Sequence, residues 1–279
     1  MSAVAVATGS GVVDPDEGLL LRALEREGVE AEVRRWDDPA ARWATYDLVV
    51  IRSTWDYVKG LDEFLAWTKS VPRLANPWGA VRYSIDKRYL SQLAERGVAT
   101  VPTVVVAVGE TFAPPDVDFV VKPCVGAGAI DATRYRASDP AARAHVGDLH
   151  ARGRDVLVQP YVASVDHVGE RDVVFIDGSL SHVMTKGALL NAPAPERTAL
   201  YRREQMSRAP LDDEVVDAAR AALAATGFTN LLYARVDLVN DGGRWVVMEV
   251  ELVEPSLFLS FEEGSARRLA RAIAERASR

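Results

Sequence analysis

The last predicted hairpin of the chain, ARVDLVNDGGRWVVMEVELVE, alternates charged and apolar side chains. This alternation predicts two strands, 233–240 and 244–250, joined by a turn at 240–243. A turn that places Asn240 opposite Arg244 would gather the apolar side chains on one face, namely those of Val236, Leu238, Val246, Met248 and Val250. The other face would then carry the charged side chains of Arg235, Asp237, Glu249 and Glu251. Carboxylates grouped in this way could bind a metal ion.

The predicted register sets the spacing of these charges. Arg235 would lie directly opposite Glu249, and Asp237 would lie diagonal to Glu249 at roughly 7–8 Å. Carboxylates at that spacing can reach one hard cation from two sides, and Mg²⁺ prefers oxygen ligands that it shares with substrate phosphates. The alternative is a solvated polar face on an amphipathic hairpin, because charged outward faces are common in antiparallel sheets.

Three lysines at predicted strand or helix ends are candidates for binding phosphate. Lys122 ends an apolar strand and precedes the loop PCVGAGA, where Gly126 and Gly128 would let backbone N–H groups approach an anion. This order is the reverse of the Walker loop GxxxxGK[ST], in which the lysine follows the glycines. Lys87 begins a predicted helix, where a cation is unfavourable unless an anion is nearby, and Lys186 ends another strand. Each alone would be an ordinary surface lysine, but together with the carboxylates they indicate a nucleotide site.

These groups need a framework of strands to bring them together. The first hundred residues alternate predicted strands with helices, which is typical of a small α/β layer. Its strands are predicted at 3–7, 31–35 and 48–51, and its helices at 14–26, 62–69 and 84–96. Short strands follow from 103 to 185, then an irregular segment at 193–210, a helix at 211–225, the hairpin and a last helix at 263–277. Near 108–116 the predicted pattern changes from alternating strands and helices to a run of short strands, and this change predicts a domain boundary.

Composition limits the classes of function. The chain has 279 residues, of which 48% are hydrophobic, with a formal net charge of −7 and a pI of about 5.3. Nucleic-acid binding is not expected, because it needs a basic surface, although a local cluster of Arg and Lys could bind a small anionic substrate. The single cysteine, Cys124, excludes an internal disulfide and favours a reducing, cytoplasmic compartment. No apolar run approaches the roughly 20 residues of a membrane helix, and the N-terminus has no signal-peptide pattern.

A polar segment follows the third predicted strand, in LVVIRSTWDY at 48–57. Ligands of open α/β sheets bind beyond the carboxyl ends of the strands. The segment therefore predicts substrate contacts from its polar and aromatic side chains, which are Arg52, Ser53, Thr54, Trp55 and Asp56. The alternative is a structural loop with a packed Trp.

The irregular segment PAPERTALYRREQMSR, 193–208, carries several arginines in an acidic protein. Loops of this length are uncommon unless they are functional or disordered. Because the segment follows Lys186 closely, we predict a lid that closes over substrate, with Arg202 and Arg203 as substrate-binding residues. A solvated connector is the alternative, because exposed arginines are common.

Several segments between about 76 and 254 resemble, in the same order, those of the ATP-grasp superfamily of carboxylate–amine ligases. They are SIDKRYLSQLAERGV, VVKPCVGAGA, VLVQPYV, SHVMTKG, ARVDLV and VVMEVEL. The resemblance implies an α/β (α+β) chain with an ATP-grasp fold. A small N-terminal α/β pre-grasp domain with a connecting helix would occupy 1–108, and two α+β subdomains at 109–162 and 163–279 would clasp ATP. The glycine loop would join two antiparallel strands and lie over the phosphates.

The resemblance also implies a role for each candidate residue. Lys87 and Lys122 would neutralise the α- and β-phosphates beneath the loop of Gly126 and Gly128. The hinge at 159–162 would hold adenine through Gln159, Tyr161 and Val162, with Gln159 in place of the usual acid, and Glu170 would bind the ribose. Two Mg²⁺ (or Mn²⁺) ions would be held by Asp237, Glu249 and Glu251. Arg235 and Lys186 would be the catalytic residues that face the transferring phosphoryl group.

More closely, NPWGAVRYSIDK, GERDVVFIDGSLSHVMTK and ELVEPSLFL resemble segments of the cyclo-ligases that close O-ureido-D-serine in D-cycloserine biosynthesis, an antibiotic pathway. The implied chemistry is ADP-forming phosphorylation of a carboxylate, followed by attack of the substrate's own nitrogen on the acyl phosphate. The alternatives are an intermolecular ligase that forms a dipeptide or an amino-acid amide, and a nucleotide-binding regulatory module without ligase activity. The implied partner is a small amino-acid-like substrate, with no nucleic acid and no membrane, and a homodimer is left open.

Overall fold

The computed structural model describes residues 2–188, 190 and 206–279. Within these ranges the strands form a three-stranded, a four-stranded and a five-stranded sheet. A cleft lies between the last two sheets and is lined by residues of both. None of the helices in these ranges combines the length and apolarity that a membrane span requires.

The three-stranded sheet is parallel and forms the N-terminal layer. Its strands are β1 (Ser2–Thr8), β2 (Val29–Arg35) and β3 (Leu48–Ser53), in the order β2-β1-β3. Helix α1 (Glu17–Arg26) connects the first two strands, and α2 (Leu61–Ser70) follows the third. The predicted α/β alternation is confirmed here, because each apolar run is bounded by a recognisable stop. Gly28, for example, follows α1 with a φ of 73° that favours glycine.

Two short helices link this layer to the rest of the chain: α3 (Trp78–Ser84) and α4 (Tyr89–Glu95). Of the helix predicted at 84–96, the part at 89–95 is confirmed as α4, and the predicted start is wrong. The chain turns at 85–88, where the backbone N–H of Lys87 donates to the carbonyl of Cys124 at 2.9 Å. This bond ties the turn to the segment that follows β5, and it places Lys87 beside the glycine loop.

The four-stranded sheet has the order β4-β7-β5-β6. Its strands are β4 (Val104–Val106), β5 (Phe119–Pro123), β6 (Thr133–Tyr135) and β7 (Val156–Pro160). Helix α5 (Ala141–Ala151), which the sequence analysis did not predict, covers one face of the sheet. Its buried side chains are Ala142, Val146 and Leu149, whose spacing is helical.

The five-stranded sheet has the order β10-β9-β8-β11-β12. Its strands are β8 (Glu170–Ile176), β9 (Ser179–Lys186), β10 (Met206–Arg208), β11 (Tyr233–Asp241) and β12 (Arg244–Glu251). Helices α6 (Val165–Val168), α7 (Asp213–Thr226) and α8 (Ser265–Ala277) accompany it. The segment 193–210 was predicted to be irregular throughout, but 206–208 is a strand that pairs with β9.

The β11–β12 hairpin has a different register from the predicted one. Asp241 pairs with Arg244 across a two-residue turn of Gly242 and Gly243, both at positive φ. A β-bulge at Met248 then shifts the pairing, so that Asp237 lies opposite Glu249. The predicted pairing of Arg235 with Glu249 is therefore wrong, since Arg235 lies opposite Glu251.

The bulge also divides the apolar side chains of the hairpin. Val236, Leu238 and Val250 belong to the core beneath the sheet, together with Val247. Val246 and Met248 instead pack with Val239 on the cleft side, so the single apolar face that was predicted does not exist. The extra residue shifts the alternation of side chains along β12 by one position. Glu249 and Glu251 therefore still lie on the same face as Arg235 and Asp237.

Helix α8 connects the N-terminal layer with the five-stranded sheet. One core contains Leu24 of α1, Val50 of β3, Val174 of β8 and Ile273 of α8. The four-stranded sheet has a core of its own, and β4 already belongs to that sheet. The proposed division at 1–108, 109–162 and 163–279 stays a prediction.

Candidate active site

Two adjoining cavities occupy the cleft. The apolar cavity is lined by Val101, Val120, Val162, Val165, Val239 and Met248. The polar cavity reaches the N-terminal layer and is lined by Trp55, Tyr57, Ser84, Lys87, Glu254 and Ser256. The wall that the two cavities share consists of charged and small side chains: Lys122, Gly128, Ala129, Ala132, Arg235, Glu249 and Glu251. The charged groups thus lie where the two cavities meet.

The carboxylates predicted to bind metal come together at this shared wall, to which Glu249 and Glu251 belong, while Asp237 lines only the apolar cavity beside it. One oxygen from each of Asp237, Glu249 and Glu251 lies within 4.8 Å of the others. Arg235 binds two of them: its Nε donates to Asp237 Oδ1 at 2.7 Å, and its Nη2 donates to Glu251 Oε1 at 2.6 Å. Such a group offers only oxygen donors, which fits a hard cation such as Mg²⁺. Their role as metal ligands stays a prediction.

Burial and neighbouring charges act differently on these carboxylates. For Glu249, burial works to raise the pKa, but the ammonium groups of Lys122 and Lys87 outweigh it and lower the pKa to about 2. For Asp237, burial is likewise outweighed by Arg235 and Lys186, and the pKa is lowered. For Glu251, burial prevails over the attraction of Arg235 and raises the pKa to about 7. Glu249 and Asp237 are therefore ionised at neutral pH, and Glu251, which titrates near neutrality, would lose its remaining proton when a cation binds.

Lys122 and Lys87 converge on Glu249 from different elements. Lys122, near the end of β5, donates from Nζ to Glu249 Oε1 at 2.9 Å. Lys87, in the turn before α4, lies 3.7 Å from Glu249 Oε2 and donates to the carbonyl of Gly126 at 2.7 Å. The structure thus brings the two predicted phosphate-binding lysines, the glycine loop and one predicted metal ligand into a single network.

The glycine loop joins β5 to β6, and these strands pair antiparallel, as the resemblance implied. Gly128 and Ala129 both adopt left-handed backbone angles, with φ of 61° and 56°. A side chain at Gly126 would approach Cγ of Pro123 to 3.2 Å, which is tight. Gly126 therefore lies against Pro123, the residue after Lys122, and both glycines line the polar cavity.

Lys186 is enclosed by three carboxylates. Its Nζ lies 2.7 Å from Glu170, 3.4 Å from Asp172 and 3.5 Å from Asp237. Asp172 is fully buried, and neither of its oxygens accepts a hydrogen bond from a described residue. Glu170 was predicted from the sequence but Asp172 was not, although the two acids flank Arg171 at the start of β8 and Asp172 pairs with Asp237. Burial and the charge of Asp237 raise the pKa of Asp172 well above its usual range, against the attraction of Lys186.

The predicted hinge at 159–162 borders the apolar cavity. The Gln159 side-chain amide donates to the hydroxyl of Thr103 at 2.9 Å, and the Tyr161 hydroxyl donates to Asp166. Val162 faces the cavity together with Val101 and Met248. A slot with these apolar walls suits a flat aromatic ring. The adenine contacts of the hinge, and the ribose contact of Glu170, stay predictions.

Of the substrate-binding candidates at 52–56, Trp55 lines the polar cavity. Arg52 is 2% exposed and donates to the carbonyl of Pro255 at 3.1 Å. Ser53 shares a hydrogen bond of 2.9 Å with Thr8, and Thr54 is fully buried. Asp56 accepts from the backbone of Ser10 at 2.8 Å and from Trp36 Nε1 at 3.1 Å, so it holds the loop after β1. The structure thus brings only Trp55 of this group to the cavity wall, and contact of the others with substrate stays a prediction.

Arg202 and Arg203 lie outside the described residues. The described residues on either side of them are informative, because Leu190 lines the apolar cavity and Met206 pairs with Lys186. Arg208 forms an ion pair of 2.7 Å with Glu262. The described residues on either side of the segment therefore lie at the cleft or beside Lys186, and the lid stays a prediction.

Glu254 was also missed by the sequence analysis. It is 7% exposed, lines the polar cavity and follows β12 by three residues. Burial, with a smaller contribution from the charge of Glu251, raises the pKa of Glu254 to about 8. The signal in the sequence was the run ELVEP, in which a third acid follows Glu249 and Glu251 out of the strand.

Comparison with known proteins identifies relatives across the whole chain. Residues 3–76 match the family described as D-cycloserine synthetase DcsG, N-terminal domain. The chain is 41% identical to the cycloserine biosynthesis protein DcsG of Streptomyces lavendulae over 283 aligned positions, which cover 95% of this chain and 94% of the relative. The crystal structure of D-cycloserine synthetase DcsG is similar with a TM-score of 0.89 and 39% identity, and 99% of each chain is covered. A D-alanine–D-alanine ligase from Bacillus anthracis, solved in complex with ATP, shares the fold at 15% identity with a TM-score of 0.67, covering 100% of this chain and 98% of that chain.

Proposed function

The chain belongs to the D-cycloserine synthetase family of ATP-grasp ligases, and we propose that it uses ATP to close a ring in a small amino acid. ATP would phosphorylate the substrate carboxylate with release of ADP, and a nitrogen of the same substrate would displace the phosphate to form the C–N bond. The proposed substrate is O-ureido-D-serine and the proposed product is D-cycloserine, in agreement with the name of the relative in Streptomyces lavendulae. Ring closure leaves the carbamoyl group on the ring nitrogen, so one water would then have to release that group as CO2 and ammonia.

The observation that carries this proposal is the charged wall between two cavities of different character. Phosphoryl transfer needs alignment and charge neutralisation more than covalent participation of the protein. The apolar cavity fits the nucleotide base, and the polar cavity fits a zwitterionic substrate. The γ-phosphate and the substrate carboxylate would then meet at the shared wall, where Lys122, Arg235 and Glu249 lie.

Each charged residue of the shared wall has a proposed task. Two Mg²⁺ ions, held by Asp237, Glu249 and Glu251, would supply charge neutralisation at the phosphate oxygens when bound. The ammonium groups of Lys122 and Lys87 would leave Glu249 and bind the phosphates of ATP instead. Arg235 is held in place by its bonds to Asp237 and Glu251, so its guanidinium would be oriented before substrate arrives.

Protection of the acyl phosphate from water is a second requirement of this chemistry. The glycine loop covers the junction from the side of the four-stranded sheet, where Gly126 and Gly128 line the polar cavity. The segment 193–205 would cover it from the side of Lys186, because its flanking residues lie at the cleft. Lys186 would contribute its charge near the γ-phosphate on that side.

An assay of ADP release over a panel of small amino acids, with and without a second amine, tests the proposal. We expect ADP release with O-ureido-D-serine alone, in the presence of Mg²⁺, and a cyclic product in the mass spectrum. ADP release only after addition of a second amine would indicate an intermolecular ligase instead. Tight binding of ATP without ADP release under any of these conditions would indicate a regulatory module and contradict the proposal.

A further inference from the structure

Glu254 places a carboxylate in the polar cavity without a cationic partner. It is 7% exposed, and no nitrogen of a described Lys, Arg or His lies within the 4.0 Å of an ion pair from it. A buried carboxylate without a counterion is unfavourable, because its lost hydration is not replaced. A cation that entered the cavity and contacted Glu254 would compensate for this lost hydration.

The backbone around Glu254 is held from several directions. The indole N–H of Trp55 donates to the carbonyl of Glu254 at 3.0 Å, and Arg52 donates to the next carbonyl, that of Pro255, at 3.1 Å. Arg235 donates to the carbonyl of Ser256 at 3.1 Å. Donors from the N-terminal layer and from β11 therefore fix this segment, and the Glu254 carboxylate is a positioned group rather than a mobile surface acid.

The other carboxylates of the polar cavity are already engaged. Glu249 is bound by Lys122 at 2.9 Å, and Glu251 is bound by Arg235 at 2.6 Å. Both also belong to the proposed metal site. Among the described residues that line this cavity, Glu254 is thus the acid that remains for a positively charged part of the substrate.

The neighbours of Glu254 have the chemistry of an ammonium site. Trp55 and Tyr57 line the same cavity, and Glu254 is close enough to Tyr57 to raise the pKa of its phenol, after the larger effect of burial. Aromatic faces beside a carboxylate are a common setting for an organic cation. The cavity therefore has a cationic side at Lys122 and Arg235 and, at Glu254, a carboxyl group that an ammonium group would hold in its anionic form, which matches the two charges of a free amino acid.

We propose that Glu254 binds the α-ammonium group of the substrate and so selects amino acids with a free amine. This inference rests on the proposed function and adds a specificity-determining residue to it. The substrate carboxylate would point to the shared wall for phosphorylation, while its ammonium would be held at Glu254 beside Trp55 and Tyr57. A substrate that lacks the amine, or carries an acyl group on it, would lose this contact.

The test compares two substrates in two proteins. Wild type and Glu254→Gln would be assayed with O-ureido-D-serine and with 3-(ureidooxy)propanoic acid, which differs only in lacking the amine. We expect the substitution to raise KM for O-ureido-D-serine roughly tenfold to hundredfold, the range for loss of a hydrogen bond to a charged group. KM for the des-amino acid should change less than about threefold, because that substrate makes no such contact.

Binding measurements test the contact between Glu254 and the ammonium group independently of catalysis. Calorimetric titration of both compounds into enzyme saturated with Mg²⁺ and a non-hydrolysable ATP analogue should show the same selective loss of affinity. Glu263→Gln, an exposed glutamate on the same segment, should bind both compounds as wild type does. An equal effect of Glu254→Gln on the two compounds would overturn the assignment of Glu254 and leave the proposed function intact. If wild type neither bound nor turned over O-ureido-D-serine or the des-amino acid, both the assignment of Glu254 and the proposed function would be overturned.

Discussion

The ammonium group of Lys122 lies 2.9 Å from Oε1 of Glu249, so the lysine proposed to bind phosphate holds the carboxylate proposed to bind a cation. Both side chains are largely buried, with 11% and 18% of their surface exposed. A phosphate that draws Lys122 away leaves the charge of Glu249 in a poorly hydrated site, which is unfavourable. A divalent cation at Glu249 removes that penalty, so nucleotide and metal should bind cooperatively.

Glu249→Gln tests this coupling. With Mg²⁺ chelated, ATP should bind the variant at least as tightly as wild type, because Lys122 no longer has a charged partner to leave. With Mg²⁺ present, wild type should gain affinity, the variant should gain much less, and turnover by the variant should be lost. Calorimetry with a non-hydrolysable ATP analogue, in EDTA and in Mg²⁺, measures these affinities. An equal gain from Mg²⁺ in the two proteins would contradict the assignment of Glu249.

Lys122→Ala should lower either the affinity for ATP or kcat at least tenfold, equivalent to about 1.4 kcal/mol. The reason is that Lys122 is the cation that β5 directs at the junction of the two cavities. Nucleotide titration and steady-state kinetics measure the two quantities. Lys59→Ala removes an exposed lysine outside the two cavities and serves as the control. Unchanged Kd and kcat in Lys122→Ala would make Lys122 a structural residue only.

Lys186→Met should destabilise the fold strongly at neutral pH. Removal of this ammonium leaves the carboxylates of Glu170, Asp172 and Asp237 together in a buried site, and loss of one partner of a buried ion pair costs about 3–5 kcal/mol. The loss should be smaller at pH 5 than at pH 7, because protonation of the carboxylates relieves their repulsion. Urea unfolding at both pH values measures it, with Lys59→Met as the matched control. A loss that does not depend on pH would show that the carboxylates are not the cause.

The hairpin shows how far the sequence could predict the site. Alternation in β11 and β12 correctly predicted that Arg235, Asp237, Glu249 and Glu251 share a face. It could not predict the bulge at Met248, because an extra residue in one strand leaves no signal in a period of two. The predicted face was right and the predicted pairs were wrong, since the shorter turn and the bulge compensate each other.

The residues that the sequence analysis missed or misplaced depend on contacts between distant segments. Asp172 gains its importance from Lys186 on the neighbouring strand, and Glu254 from the cavity that the N-terminal layer closes. Arg52, at the end of β3, was expected to face a ligand. In the structure it is buried and donates to the carbonyl of Pro255, and its contact with substrate stays a prediction. That ligands bind beyond the carboxyl ends of parallel strands predicts the region of the binding site. Which side chains remain accessible there depends on the segment that packs over the strand ends.

The segment 193–205 should be protected from trypsin by ligands. It carries Arg197, Arg202 and Arg203, and its flanking residues lie at the cleft beside Lys186. If it closes over bound nucleotide and substrate, cleavage at these arginines should be fast in the free enzyme and slow with Mg²⁺, an ATP analogue and substrate. Mass spectrometry of the fragments measures the rates. Arg208, which lies in β10 and forms an ion pair with Glu262, is an internal control that should resist cleavage in both states. Equal rates with and without ligands would contradict the lid.

Glu254→Gln should remove a pH-dependent loss of stability from the ligand-free protein. Burial, and then the charge of Glu251, raise the pKa of Glu254 to about 8 from its ordinary 4.5, against the attraction of Lys87 and Arg235. Between these values the folded state keeps a proton that the unfolded chain has lost. The stabilisation from this proton is complete below about pH 4.5 and is lost as the pH rises to about 8, at up to about 1.4 kcal/mol per pH unit. Glutamine does not titrate, so the stability of the variant should not fall in this way as the pH rises.

Urea unfolding of wild type and Glu254→Gln at about pH 5 and about pH 8 measures this difference. The free energy of unfolding of the variant, relative to wild type, should rise between the two pH values by an amount on the order of 2–4 kcal/mol. Comparison within the pair removes the contribution of Glu251, whose raised pKa is common to both proteins. Glu263→Gln, which removes an exposed carboxylate from the same segment, should give no such rise. If the variant and wild type kept a constant difference in stability across this range, Glu254 would titrate as an ordinary solvated glutamate. The polar cavity would then be hydrated enough to accommodate its charge without any ligand.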